Sequence, residues 1–130
     1  MFFRRFFDAP LPGDPPTATP GRLRAGGYRD LTPAQARALA GARLIDVREP
    51  EELQDRDLGR IQGTVNLPMG IVGGTVAGWD RAMPVVLVCR SGRRSAWVAA
   101  DLVEKGFSQV YNLAGGMIAW NEAGLPVLRG

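Results

Sequence analysis

Short apolar runs alternate with helical patterns along most of the chain. Val85–Val88 is continuously apolar, which predicts a central parallel strand buried on both faces. Residues 44–47 (LIDV) predict a second short buried strand, residues 61–66 a third, and Val110 with Tyr111 a fourth. Thr32-Pro33-Ala34-Gln35 starts a helix, with Thr as cap, Pro in the first turn and Gln at the capping-box position. Ala36, Leu39 and Ala40 give this helix its apolar side, and Gly41 ends it. Pro50-Glu51-Glu52-Leu53 predicts a helical turn with acids near its positive end. Residues 69–83 hold Gly70, Gly73, Gly74 and Gly78, so any helix there is weak. A helix is expected from about residue 95 to 105, with Ala96, Ala99, Ala100 and Val103 on its apolar side. Gly106 stops it and Phe107 packs back on its last turn. Residues 113–123 read as a turn and a last helix. Strands alternating with helices give an α/β fold with a mainly parallel sheet.

The remaining segment behaves differently. Residues 8–27 are dominated by Pro, Gly and Thr and read as a linker or irregular arm. Residues 1–27 are therefore set apart from a folded domain at 28–130. Near the start, Phe2, Phe3, Phe6 and Phe7 would cluster on one side of a helical turn, opposite Arg4 and Arg5. Such a terminus docks on its own domain or serves as a weak surface or partner anchor.

Composition narrows the chemistry. At 130 residues and 45% hydrophobic, the chain suits one modest domain. The net charge is +3, and Arg4, Arg5, Arg22 and Arg24 in the arm carry part of that excess. This is no nucleic-acid footprint. No stretch is long enough to span a membrane, and the opening residues lack a secretory signal, so a cytoplasmic protein with a free thiol is expected. The chain has one cysteine and no histidine. An internal disulfide, a CxxC metal site and Ser-His or Cys-His catalysis are all excluded. No metal or cofactor is called for.

The lone cysteine, Cys89, stands at the carboxyl end of the Val85–Val88 run, where open α/β sheets bind ligands. A short loop curling into a helix points successive N–H groups inward, and the helix dipole adds to their field. A thiolate there is stabilised without a base. Arg90, Arg93 and Arg94 add positive charge, Gly92 permits an unusual backbone conformation, and Ser91 and Ser95 offer hydroxyls. Ser95 is also a candidate helix cap. Cys89 should be partly exposed at the base of this cup.

The string CRSGRRS behind VVLV resembles the active-site loop of rhodanese-homology domains. LIDVREPEE (residues 44–52) and LAGGMIAWNEAGLPV (residues 113–127) resemble that family's early and C-terminal signatures, in the same order. The resemblance covers about residues 28–128. It implies a five-stranded parallel sheet flanked by helices on both faces. It implies sulfur transfer from a small donor such as thiosulfate, through a Cys89 persulfide, to a thiol, cyanide or protein acceptor. It also implies that Arg90, Arg93 and Arg94 surround the substrate anion and that Asp46 and Arg48 buttress the site. Family members often carry His and Pro where Arg60 and Gln62 stand here. Two other readings stay open. One is a cysteine phosphatase or arsenate reductase of the same loop logic, although these place an Arg six positions after the cysteine, where Ser95 stands. The other is a non-catalytic interaction module. Trp97 shares a helical side with Asp101 and Glu104, so it is expected to meet the apolar arm or a partner rather than the core.

Overall fold

The computed structural model describes residues 19–54 and 56–129. The strands are β1 (Arg22–Leu23), β2 (Arg29–Leu31), β3 (Arg43–Asp46), β4 (Val65–Asn66), β5 (Val85–Val88) and β6 (Val110–Leu113). The helices are α1 (Pro33–Ala38), α2 (Pro50–Leu53), α3 (Val72–Thr75), α4 (Arg93–Glu104) and α5 (Gly116–Glu122), with a 3-10 turn at Val76–Gly78. One sheet runs in the order β1-β2-β6-β5-β3-β4. All its pairings are parallel except β1 with β2. The α/β architecture expected from the pattern is therefore present, with six strands rather than five.

β5 lies at the centre, and its alternation divides the core in two. Val85, Leu87 and Cys89 pack on one side with Val98, Ala99 and Leu102 of α4. Val86 and Val88 pack on the other with Ala36 of α1 and Met117 and Trp120 of α5. Helices thus cover both faces, as a parallel sheet requires. No helix among the described residues is long and apolar enough to cross a membrane.

Local chemistry sets the element ends. The Thr32 capping box forms as expected, with Gln35 N–H donating to Thr32 Oγ1 (3.2 Å) and Thr32 N–H to Gln35 Oε1 (2.9 Å). Four expectations are corrected. First, residues 61–64 are a turn, not a strand: Gly63 takes φ 86° and Thr64 N–H bonds back to Ile61 C=O. Only Val65–Asn66 reaches β3. Second, β1 lies inside the segment expected to be irregular, where Arg22 pairs with Asp30 and Leu23 with Arg29. Third, α4 begins at Arg93, two residues early. Fourth, its buried side is Ser95, Val98, Ala99 and Leu102. Ala100 and Val103 are half-buried instead, beneath the turn between β1 and β2, where a Cβ on Gly26 would stand 3.0 Å from Ala100 and one on Gly27 2.8 Å from Val103.

Trp97 is 73% exposed on α4 and so stays out of the core. The phenylalanines of the arm lie outside the described residues. The corrected helix face can be checked by urea unfolding. Leu102→Ala should cost about 3 kcal/mol, whereas Trp97→Ala should change stability by less than about 0.5 kcal/mol.

Candidate active site

The loop from Cys89 to Gly92 links the end of β5 to the start of α4. Cys89 has no accessible surface, which corrects the expectation of partial exposure. It is nevertheless not sealed away from the loop. Gly92 N–H donates to Cys89 Sγ at 3.1 Å, and Ser95 Oγ lies 3.3 Å from the same sulfur. The N–H groups of Ser91 and Ser95 also reach it.

The neighbouring segment holds the carbonyls of this loop. Met117 N–H donates to Cys89 C=O (2.9 Å) and Ile118 N–H to Arg90 C=O (3.1 Å). Asn112 Nδ2 donates to Gly92 C=O (3.2 Å). The carbonyls are drawn toward β6 and α5. Within a planar trans peptide the N–H points opposite the C=O, so drawing the Arg90 C=O toward α5 turns the Ser91 N–H toward the sulfur. Two glycines make the approach possible. Gly92 adopts φ 91°, and a Cβ there would stand 2.9 Å from Gly115 N. A Cβ on Gly116 would stand 2.5 Å from both Cys89 O and Arg90 O.

Burial is the largest influence on the Cys89 thiol and raises its pKa. The Ser95 hydroxyl and the Ser95, Gly92 and Ser91 amides act in the opposite sense and together prevail, so the thiol sits below its ordinary value. Ser95 is fully buried in α4 and does not cap it; Gly92 occupies the cap position. The hydroxyl lies between the Cys89 sulfur and Asn112 Oδ1 instead, a correction to its expected capping role.

The arginines divide. Arg90 and Arg93 are exposed. Arg94 is gripped by Glu52 through a fork, Nη1–Oε1 2.7 Å and Nη2–Oε2 2.8 Å. Spacing alone does not reveal Glu52, which is 42 residues away. The Arg94 hydrogen bond, opposed by burial and aided by the Glu49 N–H and the charges of Arg94 and Arg48, lowers the Glu52 pKa from 4.5 to about 2.

Asp46 and Arg48 form a fully buried ion pair, Nη2–Oδ2 2.8 Å and Nε–Oδ1 3.0 Å. Arg48 Nη2 also donates to Gly59 C=O (2.9 Å), and Nη1 approaches Glu52 C=O at 3.5 Å. The pair thereby fixes the backbone that presents Glu52 to Arg94. Gly59 adjoins Arg60, whose backbone exchanges two hydrogen bonds with Leu128. That segment is held by main-chain bonds, with no call on a histidine side chain. Among the described residues no cluster of His, Cys, Asp and Glu could hold a metal ion.

The sequence profile of the rhodanese-like domain family matches residues 32–123, and the chain belongs to that family. It is 38% identical over 85 residues to a sulfurtransferase of Allochromatium vinosum, covering 65% of this chain and 77% of that protein. It is 37% identical over 95 residues to the thiosulfate sulfurtransferase GlpE of Pseudomonas paraeruginosa, covering 72% and 84%. Among solved structures, the polysulfide-sulfur transferase homodimer of Wolinella succinogenes superposes with a TM-score of 0.68 at 33% identity, covering 79% and 80%.

The Glu52–Arg94 fork predicts acid sensitivity. Because folding lowers the Glu52 pKa, its contribution is complete above pH 4.5 and is lost as the pH falls toward 2. With both side chains about one-third exposed, solvent screening limits the loss to about 1 kcal/mol or less. Urea melts between pH 2 and 6 should show this slope in the native protein and a flatter one in Glu52→Gln.

Proposed function

We propose that the chain is a sulfurtransferase that carries sulfane sulfur as a persulfide on Cys89. The observation that carries this reading is the buried Cys89 sulfur, met by converging N–H groups in a chain without histidine. Such a sulfur is stabilised as a thiolate by hydrogen bonds rather than by a base. The names of the relatives support the same class of reaction.

In the proposed reaction the Cys89 thiolate attacks the outer sulfur of thiosulfate or a polysulfide. A new S–S bond forms while the donor's own bond to that sulfur breaks, its electron pair leaving with sulfite or the shortened polysulfide. The outer persulfide sulfur then carries the negative charge, within reach of the loop donors of Ser91, Gly92 and Ser95. An acceptor thiolate or cyanide removes it and restores the Cys89 thiolate. Arg90 and Arg93, exposed at the loop, draw the donor anion in, and Arg94 adds its charge from the Glu52 fork. Asp46 and Arg48 support the loop indirectly through Glu52. Because the sulfur is buried, donor entry requires an outward movement of the loop at its exposed Arg90–Ser91 corner. The persulfide is the only covalent carrier this cycle needs, and no cofactor takes part.

The geometry lends less to phosphate-ester chemistry. The sixth position after the cysteine is Ser95, buried against the sulfur, and the arginine just before it, Arg94, is committed to Glu52.

Intact-mass analysis tests the proposal. Thiosulfate or polysulfide should add one sulfur atom to the native protein, and cyanide should remove it. Cys89→Ser should fold normally and gain nothing. A native protein that acquires no sulfur from either donor, or a serine variant that transfers sulfur at the native rate, would overturn the assignment.

A further inference from the structure

The Ser95 hydroxyl has one proton and two claimants. Its oxygen lies 3.3 Å from Cys89 Sγ and 2.5 Å from Asn112 Oδ1. A hydroxyl can donate to only one of them at a time. The other end of the Asn112 amide decides which atom faces Ser95. Its nitrogen meets two acceptors, Asp30 Oδ1 at 3.0 Å and Gly92 C=O at 3.2 Å. Only the NH2 group satisfies both, so the amide oxygen is turned to Ser95 as a pure acceptor. Asp30 and Asn112 are register partners on β2 and β6, which keeps the carboxylate beside the amide. Asn112 and Ser95 are buried, so water offers neither a ready substitute.

We infer that Asn112, oriented by Asp30, is a positioning residue that competes with the Cys89 sulfur for the Ser95 proton. In the thiol form every group is served: the thiol donates to Ser95 Oγ, and Ser95 donates to Asn112 Oδ1. On ionisation the sulfur attracts the Ser95 proton. If the hydroxyl turns to it, Asn112 Oδ1 loses its donor and faces an oxygen lone pair at close range. If the hydroxyl stays, the thiolate keeps only its amide partners. Either course costs free energy, so Asn112 restrains ionisation that the loop amides promote. Charged groups on the neighbouring elements are Arg90 and Arg93 at the loop, Arg94 of α4 with Glu52 of α2, the Asp46–Arg48 pair at the end of β3, and Arg24, 3.6 Å from the Asp30 carboxylate.

Cys89 is the chain's one cysteine, so its thiolate can be titrated by ultraviolet difference absorbance against Cys89→Ser. The titration reads the sulfur's proton and not sulfur transfer, so its result is independent of the proposed function. Asn112→Leu should lower the Cys89 pKa by about one unit, and Ser95→Ala should raise it by a similar amount. In the Ser95→Ala background, Asn112→Leu should cause no further fall, because the contested proton is gone. Asp30→Ala, half-buried on β2, should release the amide and shift the pKa in the same direction as Asn112→Leu. It serves as the reporter if Asn112→Leu does not fold. An unchanged pKa in the variant that folds, or a shift equally large without Ser95, would overturn the inference.

Discussion

The hydrogen bonds from Met117 and Ile118 to the carbonyls of Cys89 and Arg90 are the constraint on which the site depends. They fix the two peptide planes that follow Cys89 and Arg90, and the second of these carries the Ser91 N–H that meets the sulfur. The bonds need the first turn of α5 to lie against the loop at a distance that excludes a Cβ at position 116. They also need Gly92 to turn the chain into α4 with a positive φ, against the backbone of Gly115. The electrostatic character of the sulfur is thus a product of the Ser95 hydroxyl and of main-chain geometry, the latter set by two segments brought together by adjacent parallel strands.

A second set of contacts anchors the site from the other side of β5. The buried Asp46–Arg48 pair secures the backbone around Glu52 and Gly59, and Glu52 holds Arg94. Burying two charges is costly unless their remaining hydrogen-bonding capacity is used. Here it is used, since Arg48 also serves main-chain carbonyls and Arg48 N–H returns to Asp46. The result is a rigid bracket around a loop that is itself only a few residues long.

The parts legible in the sequence were those written in local pattern. The apolar run of β5, the Thr32 capping box and the curl after Cys89 depend on neighbours in the chain, and the structure has them. The misread parts depend on distant ones. The α4 alanines looked equivalent, but Leu102 and Val98 determine the buried side, and the turn between β1 and β2 covers Ala100 and Val103. Residues 61–64 carry strand-like side chains, but Gly63 breaks the extension before β3 can pair with it. The Arg22–Leu23 strand is too short and polar to announce itself without β2. Glu52 and Asn112 are ordinary polar residues until the fold sets one against Arg94 and the other against Ser95. Cys89 was expected nearer the surface because a reactive sulfur needs access, whereas packing against α4 closes it over.

That closure bears on the durability of the sulfur. A low-pKa thiolate in open solvent is vulnerable to peroxide, which converts it first to a sulfenic acid. The usual rescue is a second thiol that condenses with the sulfenic acid, and this sequence contains no second cysteine. Further oxidation to the sulfinic state would then be permanent. Cys89 has no accessible surface, so packing rather than an internal resolving thiol shields it in this conformation. Under the proposed reaction, the loop movement that admits a sulfur donor would also be the interval in which the cysteine is open to oxidation.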